Sequence, residues 1–185
     1  MPAFDQLIIE TARMTLRPHQ EADIPALFRI FSNPEVMRYW STPPWPDVEE
    51  ARKLVARDQA NLPKGEFLRL GMILKENGEY IGNCCLFNFI EQSKRCEIGY
   101  GMAHEHWGKG LMNEALSALV GYAFDTLEMH RIEADIDPRN AGSAKSLERL
   151  GFIKEGHLRE RWIVDGVISD TGLYGLLKSD WQQRR

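Results

Sequence analysis

Two periods of hydrophobic and polar residues run along the chain, and the changes between them mark its elements. Residues 67–75 and 80–90 are apolar runs of strand length, and Asn77-Gly78 between them is a strong hairpin signal. A turn around Gln92-Ser93-Lys94 leads to a third strand at 95–102, so three strands form an antiparallel meander. The period then lengthens. Leu111, Ala115, Ala118, Leu119 and Tyr122 share one face of a helix that continues to about Leu127. Alternation returns at 130–137, where Ile132, Ala134 and Ile136 alternate with charged residues. Strand, helix and strand in this order predict a parallel pair joined by a right-handed crossover. A shorter helix over 140–150 closes at Gly151, and two last strands, 152–164 and 167–177, pair across Asp165-Gly166.

The first third of the chain is less regular. Residues 7–17 have strand character and end at Pro18. Asp23 is placed as the N-cap of a helix bearing Leu27, Phe28, Ile30 and Phe31, which Asn33-Pro34 stops. Residues 34–46 form an aromatic, proline-stiffened loop. A helix then opens at Asp47-Val-Glu-Glu, continues to about Asn61 and breaks at Pro63-Lys-Gly65. The expected architecture is one α+β domain over residues 1–185, with flanking helices on a mixed, mostly antiparallel central sheet of about seven strands.

Composition narrows the function. A net charge of −4 argues against general nucleic-acid binding, which normally shows a basic domain. Cys84, Cys85 and Cys96 have neither a disulfide framework nor zinc-ligand spacing, which points to reduced, buried thiols in a cytoplasmic protein and to no metal. No apolar run approaches the roughly 20 residues of a membrane span, and the start Met1-Pro-Ala-Phe-Asp carries no targeting pattern.

The chemistry concentrates in residues 97–112, Glu-Ile-Gly-Tyr-Gly-Met-Ala-His-Glu-His-Trp-Gly-Lys-Gly-Leu-Met. A strand ends in glycines, crosses a short loop and enters a helix through Gly108-Lys109-Gly110. A helix start offers unpaired N–H groups and about half a positive charge, and glycines let a phosphate approach closely. A nucleoside-triphosphate loop does not fit. Gly110 stands where a magnesium-binding hydroxyl is needed, and Ala103 where the first glycine belongs. A dinucleotide fingerprint is weak, because Asn113 and His104 occupy its third glycine positions. His104 and His106 border the loop as surface residues.

Taken together, Met14-Thr-Leu-Arg17, Glu97-Ile-Gly-Tyr100, Trp107-Gly-Lys-Gly-Leu-Met-Asn-Glu-Ala115, Asp137-Pro-Arg-Asn140, Ser143, Leu147-Glu-Arg-Leu-Gly-Phe152 and Gly166…Asp170…Tyr174 span the chain. In order and spacing it resembles the GNAT superfamily of acetyl-coenzyme A-dependent N-acetyltransferases, most closely the RimJ/RimL branch. The resemblance implies the GNAT fold, with a splayed parallel strand pair at the cofactor site. It implies pyrophosphate and pantetheine binding by Trp107, Gly108, Lys109, Gly110, Leu111 and Met112, and a pantetheine arm along the backbone of Gly101 and Met102. Glu105 departs from the family's first signature position and should point away from phosphate.

The same resemblance implies direct attack in a ternary complex. Glu97, on the strand face of Gly99 and Gly101, is the candidate base, directly or through water. A solvent-facing, paired Glu97 is the competing reading. Asn140 belongs to the cofactor site as well as capping its helix. The superfamily's acid tyrosine is replaced by Leu147, and Ser143 matches the branch's serine, expected to hydrogen-bond the departing thiolate. The acceptor is expected against Tyr39, Trp40, Asp170 and Tyr174. It would be a protein N-terminal α-amine, as on a ribosomal protein, or else a small amine, polyamine or antibiotic; a non-catalytic acyl-coenzyme A sensor is the third alternative. A homodimer is a family-level expectation without a sequence feature behind it.

Overall fold

The computed structural model describes residues 1–184. One eight-stranded sheet carries the chain, in the order β1 (Ile9–Glu10), β2 (Met14–Arg17), β3 (Leu68–Leu74), β4 (Tyr80–Ile90), β5 (Arg95–Met102), β6 (Arg131–Ile136), β8 (Val167–Leu177), β7 (Ile153–Val164). Every neighbouring pair is antiparallel except β5 and β6, which are parallel. The meander, the crossover and the last hairpin lie where the hydrophobic periods predict them. The eighth strand arises because residues 7–17 fold back on themselves. The Thr11 N–H donates to Met14 O at 2.9 Å, and Thr11 Oγ1 accepts from Met14 N at 3.0 Å, making a tight turn inside the expected single strand.

Helices cover both faces. On one side α4 (Leu111–Asp125), α5 (Ala141–Leu150) and α6 (Lys178–Gln183) close a core built on Leu16, Leu70, Cys84, Cys96, Leu116, Leu119, Phe124, Ile132 and Leu147. On the other, α1 (Ile24–Phe31), α2 (Pro34–Met37) and α3 (Glu49–Asn61) bury Leu27, Ile30, Phe31, Val36 and Val55 against Tyr80 and Ala103. Among the described residues no helix is long and apolar enough to cross a membrane.

Three local expectations change. Asp23 is not a side-chain cap of α1. Its backbone is helical, and its carboxylate instead accepts from Arg17 at 2.7 and 2.9 Å and from Gln20 N–H at 2.8 Å. Residues 34–37, expected as loop, restart as α2 because Asn33 Oδ1 accepts the Glu35 N–H at 2.9 Å and Pro34 needs no donor in a first turn. At the C-terminus α6 was not foreseen, since its single apolar anchor, Trp181 beside Phe124, leaves no periodicity to read.

A buried polar chain locks α3 to the sheet. His19 lies between Asp58 (Nδ1 to Oδ2, 3.0 Å) and the Tyr80 hydroxyl (2.9 Å), and Arg69 donates to Asp58 Oδ1 at 2.9 Å. Breaking a buried pair by removing one partner costs about 3 kcal/mol or more, because the other charge stays buried. Asp58→Ala should therefore lower the melting temperature by about 6–12 °C for a chain of this size. Glu50→Ala, which removes an exposed pair with Lys53, should leave it nearly unchanged; calorimetry on both variants checks the contrast.

Candidate active site

The site begins where the parallel pair stops. β5 and β6 share only the pairs Arg95–Arg131, Cys96–Ile132 and Glu97–Glu133. Beyond Glu97, β5 stays with β4 as far as Gly82–Met102, while β6 stays with β8 as far as Ile136–Gly172. A V-shaped cleft opens between them, and its β5 wall presents a strand edge. Such an edge is a template for an extended ligand that pairs with backbone.

Strand alternation gives the two faces of this arm different chemistry. Cys96, Ile98 and Met102 point into the core under α4 and α5. Glu97, Gly99 and Gly101 share the other face; a Cβ on Gly101 would come within 2.8 Å of the Trp40 ring and 3.0 Å of Phe31, whereas one on Gly99 would meet Cys85 and Phe87 of β4. Glu97 itself is partly exposed, and Asn88 Nδ2 donates to its Oε1 at 3.0 Å. Glu97 also lines an open cavity with Phe67, Phe87, Asn88 and Arg95. The neighbouring Glu133 is engaged by Arg95 at 2.6 Å and Arg131 at 2.8 Å.

At the mouth of the V, Gly108 and Gly110 adopt φ of +74° and +76°, backbone that strains any side chain-bearing residue. Gly110 caps α4, and Glu114 N–H donates to Gly110 O at 3.1 Å; the amides ahead of Glu114 are those that a helix start leaves to outside acceptors. Leu111 and Met112 bury their side chains in the core, so only their backbone can serve a ligand. No atom lies within 4 Å of a Cβ built on Gly108. These features fit a pyrophosphate. Glu105 turns away, its carboxylate 3.7 Å from Arg29. Lys109 is exposed, and its carbonyl accepts from Arg13.

Arg13 is one residue that sequence reasoning missed. It donates to Lys109 O at 3.0 Å and to Glu114 Oε2 at 2.6 Å, while its N–H and the Thr11 hydroxyl hold Glu114 Oε1 at 2.8 and 2.7 Å. The β1–β2 turn thus clamps the glycine loop. Burial alone would raise the Glu114 carboxyl pKa; the hydrogen bonds from Thr11 and Arg13 outweigh it and hold the group below its ordinary value. The only local hint was Arg13 beside the strand motif.

On the β6 side, Asn140 Oδ1 accepts the Ser143 N–H at 3.0 Å and caps α5, while Leu147 is fully buried. Ser143 Oγ lies 2.7 Å from the Tyr100 hydroxyl, a contact that spans from β5 to α5. Trp107 is half-exposed; its indole N–H donates to Met102 O at 2.8 Å and its ring meets His104. The Met102 carbonyl is therefore already engaged. His106, expected at the surface, is buried and hydrogen-bonded to Glu79 at 3.3 Å.

The four expected acceptor contacts do not form one wall. Trp40 packs edge-on against Phe31 and over Gly101, with Tyr39 beside it. Asp170 is occupied by His157 Nε2 and the Glu160 N–H, both at 2.8 Å. Tyr174 is buried in the core on the α5 side, because its position on β8 points to the face opposite Trp40. Phe67, Phe87 and Asn88, around the cavity beside Glu97, were not anticipated; the hairpin carrying them reads as plain sheet.

A strand edge that opens beside a clamped, glycine-lined helix start defines a protein that holds a phosphate-bearing, extended cosubstrate. The chain belongs to the GNAT acetyltransferases: residues 13–153 match the acetyltransferase (GNAT) domain family. It is 39% identical over 172 residues to the uncharacterized N-acetyltransferase p20 of Bacillus licheniformis, covering 92% of this chain and 96% of that one. It is 36% identical over 123 residues to the [ribosomal protein uS5]-alanine N-acetyltransferase of Escherichia coli, covering 66% and 63%. Two solved structures share the fold. Mycobacterium smegmatis RimJ in complex with CoA-disulfide superposes with a TM-score of 0.85 at 24% identity, over 96% of this chain and 90% of that one. Vibrio cholerae spermidine N-acetyltransferase in complex with CoA and spermine gives 0.82 at 23% identity, over 92% and 99%. Acetyl-coenzyme A is the cosubstrate, and the chain is an acetyl-coenzyme A-dependent N-acetyltransferase.

Glu114→Ala should release the loop clamp and weaken coenzyme A binding about 5- to 10-fold, the equivalent of roughly 1–1.4 kcal/mol, with little change in melting temperature. Because the Glu114 pKa is lowered, the clamp is present at neutral pH and is lost only as pH falls through a value below the ordinary 4.5. Titration calorimetry of wild type and variant against pH checks both.

Proposed function

We propose that the acceptor is the N-terminal α-amine of a protein, with a ribosomal protein as the model case, and that transfer is direct within a ternary complex. Glu97 takes the amine proton, directly or through water, and Ser143 hydrogen-bonds the leaving sulfur. The observation that carries the reading is the position of Glu97. It is the last β5 residue paired with β6 before the cleft opens, and it also lines the cavity on the opposite side of the sheet from Ser143. An amine entering through that cavity meets the base and then a thioester lying in the V.

The backbone of Gly101 and the amides of residues 108–112 hold the pantetheine and pyrophosphate in this reading, and Asn140 keeps Ser143 in place. The backbone N–H groups of the free β5 edge face the thioester oxygen as negative charge develops there. Trp40, with Tyr39 next to it, covers Gly101 at the far end of the β5 arm; Asp170 orders the last hairpin, and Tyr174 supports it from the core.

Energetics favour an α-amine. At pH 7 an α-amino group with pKa near 8 costs about 1.4 kcal/mol to deprotonate, a lysine near 10.4 roughly 4.6 kcal/mol. A single carboxylate held by a neutral Asn88 suffices for the first. The relative named for alanine acetylation of ribosomal protein uS5 supports this acceptor class. Polyamine acetylation is the second reading, favoured by a relative named spermidine N(1)-acetyltransferase from Vibrio cholerae, 25% identical over 94% of this chain.

The test is thiol release with peptides beginning in Ala or Ser, with spermidine and with an aminoglycoside. Turnover of the peptides alone is expected; turnover of spermidine alone overturns the acceptor assignment, and coenzyme A binding without any turnover favours a sensor. In the active assay, Glu97→Gln should lower kcat about 100-fold with the KM for acetyl-coenzyme A unchanged. Wild-type kcat in that variant removes Glu97 as the base.

A further inference from the structure

Tyr100 has no part in the reactions assigned above, yet it makes a side-chain hydrogen bond that crosses the floor of the cleft from β5 to α5. It projects from the free arm of β5, on the face away from Glu97, and reaches the first turn of α5. Its hydroxyl lies 2.7 Å from Ser143 Oγ and 3.3 Å from the Ser143 carbonyl. Asn140 holds the Ser143 N–H, so this serine is fixed at both its backbone and its side chain.

We propose that Tyr100 is a positioning residue for acetyl transfer, donating its hydroxyl proton to Ser143 Oγ so that the serine's own proton faces the thioester sulfur. The inference rests on the reading of Ser143 as the hydrogen-bond donor to the leaving group. A serine hydroxyl carries one proton on a free rotor. In a helix its ordinary resting place is the carbonyl one turn back, as Ser146 shows by donating to Gly142 O at 3.0 Å. A proton spent that way is not available to a ligand. Either hydroxyl can donate across the 2.7 Å contact; in the proposed arrangement the phenol donates to Oγ rather than to the Ser143 carbonyl at 3.3 Å. With Oγ already accepting from the phenol, its own hydrogen is directed to another acceptor, and the sulfur in the cleft is that acceptor.

The phenol does not itself act as the acid. Burial pushes Tyr100 up to about 12, the hydrogen bond with Ser143 only partly opposing it. An ordinary thiol ionises near 8.5, so moving the tyrosine proton to a thiolate runs uphill by about three orders of magnitude. The step balances without it. The amine nitrogen attacks the carbonyl carbon, the C–S bond breaks, and its electron pair goes to sulfur, where the serine hydroxyl stabilises it by hydrogen bonding. The proton shed by the nitrogen, passed to Glu97 or solvent, is the one that finally reaches sulfur.

The thiol pKa of bound coenzyme A tests this without an acceptor. Thiolate absorbance is followed against pH in the protein–coenzyme A complex, with the desulfo-coenzyme A complex subtracted. The protein's own thiols stay silent, since burial raises all three, Cys96 to about 12. The bound thiol should ionise below free coenzyme A. Ser143→Ala and Tyr100→Phe should each raise its pKa by about one unit, and the double variant no further than either. Coenzyme A affinity at pH 6 should stay within about two-fold, because phenylalanine keeps the ring and the phosphates bind elsewhere. If Ser143→Ala raises the pKa and Tyr100→Phe does not, this inference falls while the role of Ser143 stands. If neither does, the reading of Ser143 falls and this inference with it. If Tyr100→Phe alone acts, or the two effects add, the phenol reaches sulfur directly and positioning through serine is overturned.

Discussion

The whole site depends on two parallel strands that stop pairing after three residues. Each strand keeps a full ladder on its other side, β5 with β4 and β6 with β8, so parting exposes only the two facing edges. Arg95 and Arg131, gripping Glu133, fasten the closed end of the V. Beyond it, the arm of β5 packs closely on both sides: a Cβ added at Gly82 would lie 2.3 Å from Gly101 O, and one added at Gly101 would lie 2.8 Å from the Trp40 ring. The cleft is thus an opening edged by the backbones of β5 and β6.

From that opening, strand alternation separates the chemistry. Odd-numbered positions of β5 place Glu97 beside Asn88 and the open cavity, and even-numbered ones carry Tyr100 towards α5. An extended thioester in the plane of the sheet would meet one set above and the other below. The two helix starts that border the cleft are each held by a side chain from elsewhere or next door, Arg13 on the α4 loop and Asn140 on α5. Binding then draws on amides already oriented, and little ordering is left for the ligand to impose.

Much of this was legible in the residues. Asn77-Gly78, Asp165-Gly166 and the shift from alternation to helical spacing after Gly110 mark the meander, the last hairpin and the crossover, because local turn chemistry and periodicity determine those elements. The positive φ of Gly108 and Gly110 was legible for the same reason: it is a local demand that glycine meets. What stayed hidden depends on contacts between distant segments. Arg13 clamps Lys109 and Glu114 across about a hundred positions, and Tyr100 finds Ser143 only once β5 and α5 are assembled. Tyr174 reads as an acceptor contact from its place on the last hairpin, and the register of β8 against β6 puts its side chain in the core. The fold of residues 7–17 into two strands turns on the bonds that the Thr11 N–H and hydroxyl make with Met14, which no periodicity reveals.

The central claim is that coenzyme A binds to backbone in the cleft between β5 and β6, and hydrogen–deuterium exchange with and without coenzyme A tests it most directly. Amides of residues 98–102 and 108–113 should gain protection on binding, while those at the tip of the β7–β8 hairpin, residues 163–168, should not change. Protection confined to other segments, or a cradle that gains protection while residues 98–102 exchange as before, would contradict it.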